Sequence, residues 1–346
     1  MIKNIKSQYN QNEKDVILSS MTEGVLAVDR NRKLIMINNA GLAYLEVKID
    51  NPVGKSVDTI IQDNNFLSFL NKLFENKEPL KEEIRIKKNT DRFFLVNGTI
   101  LKGKKPGVLI VLSDITKLKQ LEKIRQDFVA NVSHELKTPI TSIVGFLETI
   151  KQSKIPQEKR KSFLKKALKH SNRLNTIIDD LLWLSKIEAM EDSDSFDLIS
   201  QPLLHIINGA VDDIQPTADK NKNTIEVSCD SSIQLLADSQ LLREAFINLL
   251  ENAIKYGEQS TPIIIKTDIN KNIAIHFHNR GEVIATKDKE KIFHRFYRID
   301  KSRSRRQRGT GLGLAIVKHI VFVHGGEISV ESNAEAGTIF TITLPA

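Results

Sequence analysis

Asn131-Val132-Ser133-His134-Glu135-Leu136-Lys137-Thr138-Pro139 lies within residues 116–190, and how it is read decides what that stretch folds into. Apolar side chains recur there at Leu118, Leu121, Phe128, Val132, Leu136, Ile140, Ile143, Leu147 and Ile150, with Arg125 the one break. That near-heptad spacing marks a long helix with a narrow apolar seam. Val132 and Leu136 belong to the seam. At 100° per residue His134 points about 200° away from each, toward solvent. Thr138, four residues on, shares its face. Glu135 is adjacent and can bond one imidazole nitrogen, which fixes the tautomer and leaves the lone pair of the other nitrogen as a nucleophile. Pro139 donates no backbone hydrogen bond and crowds the Glu135 carbonyl, so a local bend is expected beside the histidine.

A second helix carries Leu164, Ala167, Leu174, Ile178, Leu181 and Ile187 at similar spacing. The connection around Gln152-Ser153-Lys154-Ile155-Pro156 is short, so the two helices fold back antiparallel. Two helices bury such seams poorly alone, whereas two copies form a four-helix bundle, and a homodimer is expected. A hairpin packed only on its own chain is the plainer alternative.

Residues 196–346 mix both element types. The patterns predict helices near 202–220, 239–256 and 312–324, and strands near 224–229, 262–268, 272–278, 326–332 and 338–344, a layered α/β domain. Three strings there carry chemistry. In Asn248-Leu249-Leu250-Glu251-Asn252-Ala253-Ile254-Lys255-Tyr256, the two asparagines share one helix face. A side-chain amide oxygen suits Mg²⁺, and Asn252 is the candidate ligand. Lys255 offers a point charge to a phosphate and Tyr256 a ring to an adenine. After the strand 272–278 comes Asn279-Arg280-Gly281-Glu282-Val283, where Gly281 lets the backbone approach a flat base. Gly309-Thr310-Gly311-Leu312-Gly313 then leads straight into a helix, and its freed N–H groups suit phosphates. Taken singly, each string has a bland reading: an amphipathic helix, a turn, a tight loop.

Taken together the strings resemble known families. Ser133-His134-Glu135-Leu136-Lys137-Thr138-Pro139 closely resembles the phosphoacceptor box of sensor histidine kinases. The resemblance implies that His134 accepts the γ-phosphoryl group of ATP, that Glu135 assists as base, and that Thr138 serves dephosphorylation of the partner. The ordered strings of the last domain resemble the N, G1, F and G2 boxes of the ATP-binding fold shared by histidine kinases, the Hsp90 chaperone, gyrase and the MutL repair proteins, a GHKL-type α/β sandwich. Phe293 and Phe296, in Ile292-Phe293-His294-Arg295-Phe296-Tyr297-Arg298, match the kinases' F box. The resemblance spans about 118–346 and implies ATP and Mg²⁺ as cofactors. Asn248, Asn252, Lys255, Tyr256, Asn279, Gly281, Phe293, Arg298, Gly309, Gly311 and Gly313 then form the nucleotide site. One departure stands out: Asn279 takes the place of the usual Asp, and Val283 that of a Gly. An Asn oxygen still accepts a bond from the adenine amino group, without charge assistance, so adenine binding is expected to be retained, weakened at most, with a degenerate, ATP-silent kinase as the alternative.

Residues 13–115, after a lead-in at 1–12, alternate strands and helical patches. Strands are expected at 25–29, 33–38, 82–88, 92–101 and 106–114, with helices at 39–46 and 64–76, an α+β module with helices on one side of the sheet. Met21–Asp29, Ile37–Ala40 and Val111–Thr116 resemble a PAS sensor domain, and Thr116 suits the cap of the helix that follows. The segment holds no cysteine and no histidine, so flavin attachment and haem ligation by these residues are excluded. Joined to the phosphoacceptor helix, the whole resembles the cytoplasmic part of phosphate-regulon sensor kinases. The expected architecture is a multidomain α+β protein of PAS module, helical hairpin at 116–190 and ATP-binding domain at 196–346.

Composition sets outer bounds. The net charge is +8, and the densest basic run, Lys301–Arg308, adjoins the glycine loop, which favours a phosphate-bearing ligand over nucleic acid. That run is expected to be a lid over the nucleotide. The single Cys229 forbids an intrachain disulfide framework and fits a reducing cytoplasm. With no apolar run long enough to span a bilayer and no signal-peptide core, a cytoplasmic chain is expected, membrane-bound only if an anchor lies outside it. Its expected partners are an aspartate on a response regulator and a second copy of itself. An ATP-gated machine of the chaperone or gyrase kind shares the nucleotide fold but not the histidine helix, and a non-catalytic scaffold has no use for Asn252, Lys255 and the glycines.

Overall fold

The computed structural model describes residues 16–87, 91–103, 106–152, 155–191, 198–299 and 309–346, without the side chains of residues 190 and 191. The lead-in at 1–12 and the basic run at 301–308 lie outside the described residues. The chain divides into two units, Met1–Asp127 and Phe128–Ala346.

In the first unit, β1 (Gly24–Asp29), β2 (Leu34–Ile37), β3 (Leu80–Lys87), β4 (Asp91–Leu101) and β5 (Gly107–Asp114) form one antiparallel sheet in the order β2-β1-β5-β4-β3. Between β2 and β3 lie α1 (Asn39–Tyr44), α2 (Val57–Ile60) and α3 (Asn64–Asn76). Phe66, Phe69, Leu70 and Leu73 give α3 one fully buried stripe, packed with Ile84, Phe94, Val96, Ile110 and Leu112 of the sheet. Asp63 caps α3 by accepting the Phe66 N–H at 2.9 Å. Asn38 is buried with its amide fully used: Oδ1 accepts from the Val25 and Gly41 N–H groups, and Nδ2 donates to the Leu18 and Glu23 carbonyls. The sequence reading missed α2 and the helical residues 16–20.

Two long helices follow, α4 (Thr116–Lys151) and α5 (Gln157–Glu191). The entry to α4 differs from expectation. Asp114 accepts the Thr116 N–H at 2.9 Å, while the Thr116 hydroxyl accepts the Phe93 N–H at 3.0 Å. Asp114 therefore caps the helix and Thr116 ties it to β4. Pro139 lies inside α4 and is buried.

The rest of the second unit is a sandwich of helices on a sheet. The sheet runs β11 (Glu327–Asn333), β12 (Gly337–Pro345), β10 (Asn272–Asn279), β9 (Ile263–Ile269), β7 (Ile225–Ser228), with β7 parallel to β9 and the others antiparallel. Over it pack α6 (Leu203–Asn221), α7 (Ser239–Tyr256) and α8 (Gly313–Val323). A two-stranded sheet of β6 (Ile199–Pro202) and β8 (Gln234–Ala237) flanks α6. Neither strand was foreseen.

The inner face of β10 reads Ile273, Ile275, Phe277, Asn279, every second residue buried. Its apolar run ends in an amide. In register, Asn279 faces Thr338 of β12, and both are buried. The helical hairpin shares this core. Leu184 and Ile187 of α5 are buried in it, and Phe128, Leu181 and Trp183 pack against it. Of the expected α5 seam, Ala167 and Ile187 are buried, while Leu164 and Ile178 are exposed.

Candidate active site

His134 is exposed on α4, as its place between Val132 and Leu136 requires. Thr138 stands one turn on, with Oγ1 donating to the His134 carbonyl at 3.1 Å. His134, Lys137, Thr138, Thr141 and Ser142 line an open depression of ≈ 390 Å³. Glu135 is turned to other work than the expected imidazole bond. Its Oε2 accepts from Arg173 Nη2 of α5 at 2.8 Å, and its Oε1 lies 3.8 Å from Arg298 Nη1.

A second group of the expected residues gathers where the end of α7, the turn after β10 and the start of α8 meet. At the end of α7, Lys255 Nζ donates to the Tyr256 hydroxyl at 2.9 Å and sits 4.6 Å from that ring's centroid. The same ammonium lies against Gly309, where a Cβ would come within 2.4 Å of it. Asn248 Nδ2 donates to the Glu244 carbonyl at 3.0 Å, and Asn248 Oδ1 abuts Gly313, the first residue of α8. Gly311 has φ +77 and passes so close to the Phe296 backbone that a Cβ would meet it at 2.9 Å. At Gly281 a Cβ would strike the Tyr256 carbonyl at 2.3 Å, because Gly257 and Gly281 bridge there. Tyr256, Gly257, Glu258, Gly281 and Glu282 line a cavity of ≈ 300 Å³. The glycines serve close backbone approach at Gly281 and left-handed geometry at Gly311.

So Asn248, Lys255, Tyr256, Gly281, Gly309, Gly311 and Gly313 come together. Asn252 is half-buried on the same helix face as Asn248, and Asn279 closes the inner face of β10. Phe293 does not join them: it is buried in the core, edge-on to Phe340 with ring centroids 6.3 Å apart. Its apolar ring gains more from that burial than from the cleft. Arg298 Nη1 lies 3.8 Å from Glu135 Oε1.

Sequence reasoning missed several residues. Thr338 shares the buried end of the sheet with Asn279, its hydroxyl 2.7 Å from Ser332 Oγ. The strand alternation through β12, continued one step, would have found it. Arg295 and Glu188 form an ion pair, the Arg295 guanidinium lies 5.3 Å from the Phe128 ring centroid, and Phe128 and Phe296 pack at 5.9 Å. Burial pushes Asp180 of α5 up to about 6, with Glu244, Glu251 and Asp179 adding repulsion that Thr310 of the glycine loop partly offsets. Burial likewise raises Glu244 and Glu251. No sequence pattern announces these contacts, because they depend on how α4 and α5 pack on the sandwich.

Comparison with known proteins bears on this arrangement directly. Residues 124–189 match the His Kinase A (phospho-acceptor) domain, and residues 237–346 match the Histidine kinase-, DNA gyrase B-, and HSP90-like ATPase. The chain has the histidine kinase fold. It is similar to the sensor histidine kinase WalK of Bacillus subtilis, with 30% identity over 336 residues, covering 95% of this chain and 54% of that protein. It is also similar to the sensor protein SrrB of Staphylococcus aureus, with 31% identity over 344 residues, covering 97% of this chain and 56% of that protein. The chain thus spans about half the length of the curated relatives it matches. Among solved structures, the histidine kinase ThkA in complex with the response regulator protein TrrA aligns with a TM-score of 0.52 and 24% identity over 96% of this chain and 97% of that one. In the kinase fold, the exposed histidine belongs to the first matched domain and the glycine-lined cleft to the second. No helix among the described residues is long and apolar enough to cross a membrane.

Proposed function

We propose that the chain is an ATP-dependent protein histidine kinase that phosphorylates His134 and passes the group to an aspartate of a response regulator. The observation that carries this reading is an outward-facing imidazole on α4, in the same compact unit as a glycine-lined cleft flanked by Asn248, Asn252 and Lys255. An imidazole nitrogen of His134 attacks the γ-phosphorus, a P–N bond forms, the bond to the ADP oxygen breaks, and the imidazole proton passes to Glu135 or water. Such transfer asks the protein mainly for positioning and neutralisation of charge.

Each residue then has a task. Lys255 offsets phosphate charge at Gly309, and the Gly309–Gly313 backbone, at the start of α8, presents N–H donors. Asn279 and Thr338 are the polar pair at the closed end, suited to the adenine edge. The donor set fits Mg²⁺, which accepts a few oxygens and keeps its waters: Asn252 would hold it by its amide oxygen. When bound, Mg²⁺ would neutralise the phosphates during transfer. Thr138, on His134's face, fits the further proposal that the chain also dephosphorylates the regulator.

The first unit is read as a PAS-type sensor. Supporting this are its five-stranded antiparallel sheet with strand order β2-β1-β5-β4-β3 and the intervening helices. The narrower likeness to phosphate-regulon sensors rests on the junction of that module to the histidine helix. The proposed assembly is a homodimer joined through the hairpins.

The test is incorporation of label from γ-labelled ATP into the full chain. Acid-labile, base-stable phosphate that disappears in His134→Gln supports the reading. Equal labelling of the variant rejects it.

A further inference from the structure

We infer that Glu244 is a positioning residue of the nucleotide site: it holds the side-chain amide of Asn248 with its oxygen turned to the start of α8, so that a magnesium–nucleotide complex meets an acceptor there. The inference rests on the ATP-binding reading above and deepens it.

The partners of the amide allow it one orientation. Asn248 Nδ2 donates to the Glu244 main-chain carbonyl at 3.0 Å and to the Glu244 carboxylate, Oε1, at 3.2 Å. Both are acceptors, so the nitrogen belongs on that side and the oxygen on the other. Asn248 Oδ1 accordingly abuts Gly313, the first residue of α8, where an added Cβ would come within 2.4 Å of it. In a helix the carbonyl four residues back already accepts a backbone N–H, so it is a shared anchor for the side chain. The carboxylate adds a charge-assisted bond for which the main chain does not compete.

The surroundings disfavour the charge that makes this bond. Burial raises the proton affinity of Glu244, Glu251 and Asp213 add repulsion, and the bond to Asn248 pulls the other way. Arg243, its neighbour in the chain, is engaged with the Asp213 carboxylate at 2.8 and 2.7 Å. An arriving polyphosphate adds repulsion of its own. Charge alone therefore predicts that nucleotide binds better without Glu244, whereas the geometry predicts the reverse. Without the carboxylate the amide turns more freely, and an NH₂ group turned to α8 sets donor against the N–H donors at that helix start. Asn252, the proposed magnesium ligand, lies one turn further along the same face of α7. The oxygen that Glu244 holds in place thus faces the region where a metal with its waters would need acceptors.

The experiment measures affinity of the full chain for the magnesium complex of a non-hydrolysable ATP analogue at pH 7.5, by displacement of a fluorescent ATP analogue, so that weak binding is still read. The proteins are the parent, Glu244→Gln and Glu244→Met, and the last two again on an Asn248→Ala background, each checked for an unchanged far-UV spectrum and a cooperative melt. Gln and Met both remove the charge at similar size, and only Gln keeps an oxygen to accept the Asn248 N–H. Glu244→Met is expected to bind about threefold to tenfold more weakly than Glu244→Gln, the scale of one hydrogen bond. On the Asn248→Ala background the two are expected to differ by less than about twofold. A general loosening of structure would not make the difference depend on Asn248. Equal or tighter binding by Glu244→Met than by Glu244→Gln overturns the inference, and so does an undiminished difference on the Asn248→Ala background. Glu244→Ala carries the same expectation as Glu244→Met and replaces it if the methionine variant does not melt cooperatively. If the parent itself takes up neither analogue, the ATP-binding reading fails and the inference with it, whereas a parent that binds, with no gap between Gln and Met, sinks the inference alone.

Discussion

Glu135 holds two cations at once: Arg173 of α5 donates to one carboxylate oxygen at 2.8 Å, and Arg298 stands 3.8 Å from the other. The residue proposed to assist His134 is thus fixed by the partner helix of its own hairpin and touched by the segment that follows the second phenylalanine of the F box. Both faces of the pair are largely shielded, with side-chain exposures of 20% and 26% for Arg173 and Glu135. Removing Arg173 leaves a half-buried carboxylate without its strongest donor. Arg173→Met is expected to lower stability by about 1 kcal/mol and to slow labelling of His134 roughly tenfold. Affinity for an ATP analogue should not move, since the group Arg173 holds is Glu135 of α4 and not part of the glycine loop. Initial labelling rates read beside analogue titration check this, and an unchanged rate would reduce the pair to a structural tie.

The loop glycines should separate fold from binding. At Gly309 an added Cβ meets the far end of a flexible side chain, Lys255 Nζ. At Gly311 it meets the Phe296 backbone, and the φ of +77 is strained for any other residue. Gly309→Ala is therefore expected to keep its melting temperature within a degree or so but to bind nucleotide about tenfold more weakly, because it displaces the ammonium. Gly311→Ala is expected to cost about 1–3 kcal/mol of stability as well. Thermal melts and analogue titration on the two variants check the contrast.

Much of this was legible in the chain itself. The heptad spacing placed α4 and α5, and the position of His134 between Val132 and Leu136 put it on the outside. Alternation and helical periodicity located the five-stranded sheet and α6, α7 and α8 of the second unit. What escaped was tertiary. The strand β6 buries none of its four residues, so no apolar alternation marks it or its partner β8 as a pair. Phe293 looked like a site residue by its string, yet its ring is core. Asp180 reads as one of two aspartates on a polar helix face until α5 is seen against the glycine loop.

The hairpin seam carries its own test. In the single chain, Ile140, Leu147, Leu164, Leu168 and Ile178 are all exposed. Helices burying large aliphatic residues in a shared bundle gain about 1.5–3 kcal/mol for each one covered. Leu147→Glu with Leu164→Glu should weaken self-association by a hundredfold or more, because each change counts once per copy. Sedimentation equilibrium reads the outcome, and a parent chain that is monomeric at tens of micromolar would remove the proposed dimer.

Asp180 also has a stability signature. Its folded value, about 6, lies above the ordinary carboxylate range. Between the unfolded value near 3.8 and 6 the native state binds more protons, so stability falls as pH rises through that window. Above it the ionised carboxylate is a standing cost. Asp180→Asn is expected to stabilise the chain at pH 7.5 by on the order of 1 kcal/mol, discounted because the group is partly solvated, and to leave it unchanged at pH 4. Denaturant melts at the two pH values give the comparison.

His324 gives the opposite slope. It is buried at the end of α8, where Nδ1 donates to the Ile320 carbonyl at 2.7 Å and Nε2 accepts the Asp238 N–H at 3.1 Å. Those roles require the neutral ring with its proton on Nδ1. Asp238 in turn caps α7, accepting from the Gln240 and Leu241 N–H groups at 2.9 and 3.1 Å. The imidazole thereby joins the end of one cleft helix to the start of another. Burial holds its affinity for protons below the ordinary histidine value of 6.5, although Ile320 and Asp238 pull the other way. Below pH 6.5 the unfolded chain binds the proton first, so stability is full above that value and is lost as pH falls toward the folded one. A proton on Nε2 would also set donor against donor at the Asp238 N–H. His324→Gln keeps an acceptor for that N–H but does not titrate. The variant should be less stable than the parent at pH 7.5, having lost the Nδ1 bond, and the gap should shrink as pH falls from 6.5 to 5. Paired urea melts across that range measure the gap directly, and because the other histidines are common to both proteins, a gap that stayed constant would show that His324 does not titrate with folding.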